Sequence, residues 1–207
     1  MIKVIFFDVD GVLVDAEYMH YEALNLALVA HGFSKIGRQD HLTNFNGYPT
    51  KAKLNFLVQA GEMTVKEAEE VAQTKQEVTM RVIEDLPVDQ SKIDLLVKLK
   101  ELGFTIGAVS NAKRDSIIKM FQVTGLDPYI DFIRSNEDVE RPKPWPDPYL
   151  SALDYVGVSG EDVYVVEDTE LGKQSAMQAC IGEIIKVEGV NQVNIEYLKN
   201  HIKELNY

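Results

Sequence analysis

Asp8 and Asp10 stand two residues apart where a short apolar run ends, in Phe6-Phe7-Asp8-Val9-Asp10-Gly11-Val12. Carboxylate oxygens hold hard cations such as Mg²⁺, an aspartate can attack phosphorus as a nucleophile, and a second acid nearby can carry a proton. Residues two apart on an extended segment point to the same side, so both acids can address one ligand if the extended geometry persists. Asp and Gly are also ordinary turn residues, and a plain turn accounts for these positions as well. Gly11 lets the backbone turn away directly after the second acid.

Three other segments carry groups suited to phosphate. In Val109-Ser110-Asn111 a hydroxyl finishes an apolar run and the next amides begin a helix. Such an end binds an oxyanion, or the side chains simply cap the helix. Arg141-Pro142-Lys143-Pro144-Trp145-Pro146-Asp147-Pro148 encloses one lysine in prolines. They restrict the loop and argue for a fixed point charge at Lys143 in place of the usual solvated lysine. Asp147 is expected to cap the next helix, and Trp145 to pack or line a cleft rim. In Val165-Val166-Glu167-Asp168-Thr169 an apolar run ends in adjacent carboxylates. Their repulsion calls for a cation such as Mg²⁺; Asp168 as a helix cap is the plainer alternative, and it leaves Glu167 without a reason.

Parallel strands buried on both faces read as continuous apolar runs, and Ile2-Lys3-Val4-Ile5-Phe6-Phe7 is one. Ligands of open α/β sheets bind outside the carboxyl ends of the strands, where Asp8 and Asp10 fall. Helical spacing follows over about 17–32, 50–61 and 64–84, the third opening with the capping-box pattern Thr64-Val65-Lys66-Glu67. Beyond Pro87 helices and strands alternate: helices over 90–102, 113–123, 147–156, 171–179 and 195–205, strands over 104–110, 130–133, 163–167 and 184–187. That alternation predicts an α/β fold with a doubly wound, Rossmann-like parallel sheet. The expected domains are a core of 1–15 with 86–207 and an inserted helical cap of 16–85, hinged near Asp15 and Asp85 to Pro87 and able to close over a cleft.

The chain has 207 residues, 45% of them hydrophobic, and a net charge of −12. With Lys and Arg scattered, this charge speaks against nucleic acid or an anionic membrane as partner, while a small anionic substrate remains open to a cleft with local cations. Cys180 is the single cysteine, so an intrachain disulfide and a cysteine metal cluster are both excluded; it is expected to fill core space, and the cytoplasm is the expected compartment. Met1-Ile2-Lys3 carries no signal-peptide pattern, and no apolar stretch reaches membrane-spanning length, so a soluble protein is expected. His31, His41 and His201 form no spaced metal set and are read as structural or surface residues.

Taken together and in order, Asp8-Val9-Asp10-Gly11-Val12, Ser110-Asn111, Lys143-Pro144 with Pro146-Asp147, and Glu167-Asp168-Thr169 with Gly172 resemble the four motifs of the haloacid dehalogenase-like phosphohydrolases. The insert resembles the helical cap of the subgroup containing phosphoglycolate phosphatase and β-phosphoglucomutase. This resemblance implies that Asp8 attacks phosphorus, that Asp10 protonates the leaving oxygen and then activates water, and that Ser110 and Lys143, with Asn111, bind the phosphoryl group. It implies Mg²⁺ held by Asp8, the Asp10 carbonyl, Asp168 and Glu167, the last directly or through water. Because Asp10 is present, true dehalogenation is not implied.

Asn46-Gly47-Tyr48-Pro49-Thr50-Lys51 resembles the substrate-specificity loop, so Gly47 and Lys51 are expected to contact substrate. It lacks the arginine that a β-phosphoglucomutase carries just after this glycine, and Lys51 or Lys53 is the cation available instead. His20 and Lys75 fall where mutase-like relatives carry residues that align the acid-base aspartate, though both also read as ordinary helix residues. The leading expectation is a Mg²⁺-dependent phosphatase of a small phosphate monoester, of sugar phosphate or phosphoglycolate type. The alternatives are a sugar-phosphate mutase and a non-catalytic phospholigand-binding protein.

Overall fold

The computed structural model describes residues 3–206, so Ile2, with which the expected first strand begins, lies outside them. The chain forms two compact units, one made of the residues up to Asp15 together with those from Pro87 onward, the other of Ala16–Leu86.

The first unit is a five-stranded, wholly parallel sheet, as the alternation of elements predicts. Its strands are β1 (Val4–Phe7), β2 (Thr105–Val109), β3 (Phe132–Arg134), β4 (Val163–Glu167) and β5 (Glu183–Lys186), in spatial order β3-β2-β1-β4-β5. β1 is central and buried throughout, which its unbroken apolar run allows and an alternating run would not. From β1 the order runs through β2 and β3 to one side and through β4 and β5 to the other, which puts a topological switch at the carboxyl end of β1. Beneath it, Val4, Phe6, Val109, Val163 and Val165 pack in one cluster with Tyr149, Ala152 and Ala176.

Gly107 makes one part of this packing possible. It pairs with Phe6 on one side and Phe132 on the other, and those two rings meet edge to face across it, centroids 5.6 Å apart. A methyl group at 107 would overlap the Phe132 ring.

In the second unit, α1 (Glu17–Ala30), α3 (Thr50–Gln59) and α4 (Val65–Val82) bury Leu24, Leu28, Leu54, Met63 and Val71 together. The predicted capping box is present: Thr64 Oγ1 accepts from the Glu67 amide at 3.3 Å, and the Glu67 carboxylate accepts from the Thr64 amide at 2.7 Å. Between α1 and α3 lies a segment that periodicity did not mark, α2 (Arg38–Asp40) running into a π-helical turn, His41–Phe45.

Three further expectations need correction. β3 begins at Phe132 and not at Ile130, because the carboxylate of Asp131 accepts from the Ile106 amide at 2.7 Å where strand pairing would start. The terminal helix stops at Leu198 and gives way to a turn and a short 3-10 helix, Lys203–Asn206; only its first turn, capped by Asn194, is α-helical. Cys180 is exposed: the chain leaves the preceding helix with φ 57° there, and Ala179 takes the core position.

Gly107→Ala is expected to cost about 1–3 kcal/mol through overpacking against Phe132. Thermal unfolding should show a midpoint lower by roughly 2–10 °C; an unchanged midpoint would mean that the rings yield without cost.

Candidate active site

Three adjacent parallel strands deliver the site. Asp8 follows β1, Ser110 follows β2, and Glu167 ends β4 with Asp168 next to it. Asp8 stays in register after its strand ends, its amide donating to the Val166 carbonyl at 3.0 Å. The chain then turns tightly, the Gly11 amide donating to the Val14 carbonyl at 2.8 Å. Gly11 is fixed by type, since it adopts φ 83° and a side chain there would collide with the Asp168 carboxylate.

Lys143 reaches this point from the proline loop, and its ammonium donates to Asp8 Oδ1 at 2.7 Å, to the Val109 carbonyl at 2.7 Å and to Glu167 Oε1. It is only 2% exposed, so it is the fixed charge that the flanking prolines suggest. The loop itself is tied down from behind. Asn111 and the Lys143 main chain exchange two hydrogen bonds, 2.9 and 3.0 Å, while Ser175 and Gln178 donate to the carbonyls of Trp145 and Pro144.

Burial opposes charge on Asp8, Lys143 and Asp168. Burial, and then the charges of Glu167, Asp168 and Asp10, hold the Asp8 carboxyl well above the usual carboxylate range although Lys143 pulls it down. Burial alone would lower Lys143, but Asp8 and Glu167 outweigh it and keep the ammonium protonated well above its ordinary value. Burial, followed by Glu167, pushes Asp168 up to about 7.

Among the described residues, Asp8, Glu167 and Asp168 offer carboxylate oxygens all within 4.8 Å of one another, and Asp168 Oδ1 is buried with no hydrogen-bond partner. An all-oxygen set of this kind suits a hard divalent cation and not a soft one. The Asp10 side chain is not in that group, although its charge is felt by both Asp8 and Asp168.

Several small expectations change. Asp168 does not cap the following helix α8 (Glu170–Gln178); Thr169 does, its Oγ1 accepting from the Gly172 amide at 3.1 Å. Asp147 is the first residue of α7 (Asp147–Val156) and pairs with Arg141 at 2.7 and 2.9 Å instead of capping. Trp145 is exposed beside the Arg141 guanidinium. Neither Ser110 nor Asn111 caps α6 (Arg114–Thr124), whose cap position is Lys113; Ser110 Oγ accepts from the Ala112 amide at 3.0 Å.

In the helical unit Gly47 has φ 78° and Lys51 is exposed in the first turn of α3. His20 Nδ1 and Lys75 Nζ are 3.1 Å apart. His41 is buried, its Nε2 3.3 Å from a Glu17 carboxylate that also receives both Arg38 Nη groups. Burial and then Lys53 push His41 down to about 4, so its imidazole is neutral. The sequence reads His41 as structural or surface, and its burial agrees with the first. The Tyr149 hydroxyl was missed, because in Pro148-Tyr149-Leu150 the residue reads as helix core.

The sequence profile of the haloacid dehalogenase-like hydrolases matches residues 5–186. The chain belongs to that family. It is 28% identical over 190 residues to a phosphorylated carbohydrates phosphatase of Thermotoga maritima, covering 89% of this chain and 85% of that protein. It is likewise 28% identical over 191 residues to the validoxylamine A 7'-phosphate phosphatase of Streptomyces hygroscopicus, covering 88% and 85%. These relatives are phosphatases, consistent with a phosphoric monoester hydrolase. Among solved structures, a β-phosphoglucomutase from Clostridium difficile superposes with TM-score 0.82 at 21% identity, over 100% of this chain and 98% of that one. The CbbY protein of Rhodobacter sphaeroides, solved with phosphate, gives 0.80 at 22% over 90% and 86%. At those identities the superpositions establish the fold alone, which is the α/β fold expected. No helix among the described residues is long and apolar enough to cross a membrane.

Folded Asp168 keeps its proton to about pH 7, whereas an ordinary aspartate loses it near 3.8. Between those values the folded state holds more protons than the unfolded one, so stability falls as pH rises. In metal-free buffer the wild type should therefore lose stability relative to Asp168→Asn from about pH 4 to 7. Thermal melts in the presence of a chelator measure this, and a pH-independent difference would contradict it.

Proposed function

We propose that this chain is a Mg²⁺-dependent phosphatase of small phosphate monoesters, of the sugar phosphate or phosphoglycolate type, acting through an aspartyl-phosphate. The observation that carries the proposal is the convergence of Asp8, Glu167 and Asp168 with one buried ammonium at the carboxyl ends of adjacent parallel strands. A buried carboxylate oxygen without a partner, within an all-oxygen donor set, fits magnesium. Asp8, Asp168, Glu167 and the Asp10 carbonyl would hold it, and when bound it supplies positive charge against the phosphoryl oxygens.

In this reading an Asp8 carboxylate oxygen attacks phosphorus, forming a new P–O bond as the ester P–O bond breaks. Asp10 gives its proton to the departing oxygen, then removes one from the water that attacks the aspartyl-phosphate, releasing inorganic phosphate and restoring Asp8. Ser110 and Lys143 receive the phosphoryl oxygens, where stabilisation matters most for phosphoryl transfer. The Asn111 side chain is engaged with the Lys143 main chain, so its part in phosphate binding is assigned to holding that loop. Gly47 and Lys51 are assigned to the non-reacting part of the substrate.

The contact between His20 and Lys75 is the observation that favours a sugar-phosphate mutase, in which the aspartyl-phosphate returns to a sugar. Tyr48 stands where that reading asks for arginine.

The test is phosphate release from a panel of small monoesters with and without Mg²⁺. Metal-dependent release that falls by about 10⁴-fold in Asp8→Asn is the expected result. Hexose 6-phosphate formed from hexose 1-phosphate with a bisphosphate primer would select the mutase. Tight binding without turnover would select a phospholigand-binding protein.

A further inference from the structure

An ammonium has three protons, and those of Lys143 are directed to Asp8 Oδ1, the Val109 carbonyl and Glu167 Oε1. A phosphoryl oxygen can be received only if one of these bonds yields. The bond to Glu167 is the costly one to loosen, because Glu167 is 1% exposed and an unpaired buried carboxylate is strongly disfavoured.

Glu167 Oε1 has a second donor. The hydroxyl of Tyr149, a fully buried residue, donates to it at 2.8 Å. The other oxygen, Oε2, accepts from Thr169 Oγ1 and the Thr169 amide at 3.2 and 3.4 Å. Tyr149 lies six residues beyond Lys143, where the proline loop enters α7, and the ammonium sits 5.0 Å from the centre of its ring. One short segment thus brings both donors to a single carboxylate oxygen. The segment is itself fixed by Asn111, Ser175 and Gln178.

We infer that Tyr149 is a positioning residue: its hydroxyl shares Glu167 Oε1 with Lys143, so that the ammonium can turn a proton to the phosphoryl group without leaving that oxygen unpaired. This rests on the phosphatase reading above. Without the hydroxyl, Glu167 Oε1 depends on Lys143 alone and holds it away from the reacting oxygens. The loss falls on the step in which charge builds on those oxygens, not on ester binding.

Tyr149→Phe keeps the ring and removes the donor. With the monoester that the wild type turns over fastest, kcat and kcat/KM should fall together by about tenfold, with KM within about twofold. The melting midpoint in metal-free buffer should remain within a few degrees, and Mg²⁺ affinity measured by calorimetry should be unchanged. In a Glu167→Gln background, where the carboxylate shared by Tyr149 and Lys143 is gone, the same substitution should change kcat less than about twofold.

A Tyr149→Phe enzyme as active as the wild type overturns the inference. So does a loss of equal size with and without Glu167→Gln, which is what a purely structural tyrosine would give. A fall in Mg²⁺ affinity matching the fall in kcat also overturns it, since the hydroxyl would then act on the metal site. A wild type that releases no phosphate overturns the phosphatase reading, a result distinct from these.

Discussion

The buried ammonium of Lys143 is the point on which the site depends. It joins Asp8 after β1, the last carbonyl of β2 and the terminal side chain of β4, so three strands are tied at their carboxyl ends by one cation. The acids there would otherwise repel one another in a poorly solvated place; burial first, and neighbouring acids next, raise Asp8 and Asp168 in spite of that cation. Buried ion pairs of this kind are weak contributors to net stability, because desolvation offsets most of the attraction. In the phosphatase reading proposed above, their presence is a functional arrangement that the apolar sheet supports from below.

That support is visible in how the sheet is built. β1 is buried along its length, and its first polar residue comes where the strand stops. The Phe6 and Phe132 rings close over Gly107, and Tyr149 has its ring in the same cluster with its hydroxyl on Glu167. Hydrophobic packing and the polar site therefore share residues: the side chain that fills the core under α7 also orders a carboxylate of the site. Asn111 plays a comparable part from β2, since its amide fixes the main chain from which Lys143 projects.

Most of this was legible in the sequence because apolar runs that stop abruptly at acids mark both the strand and its functional end. The parallel sheet follows from such patterns, the run of helices between β1 and β2 from helical spacing, and a fixed position for Lys143 from its flanking prolines. What escaped was set by tertiary partners. No periodicity reveals that Asp131 would take the Ile106 amide and shorten β3, or that Thr169 would cap α8 in place of Asp168. The π-helical turn at His41 and the hydroxyl of Tyr149 were missed for the same reason: their meaning lies in groups distant along the chain. Cys180 was misjudged because burial preference by residue type carries no information about a left-handed turn.

The position of β1 has a consequence for how the molecule is made. The strand at the centre of the sheet is synthesised well before its two partners, which begin at Thr105 and Val163. At ordinary elongation rates roughly 10–30 s pass before both have emerged. Through that interval a wholly apolar segment waits with its edges unpaired, while Ala16–Leu86 can gather its own contacts. Such long-range parallel pairing is slow and exposed to misassociation. The bond from Lys143 to Asp8 spans 135 residues, and Glu167, which shares that ammonium, ends β4, so the cluster is complete only when the last of these pairings closes.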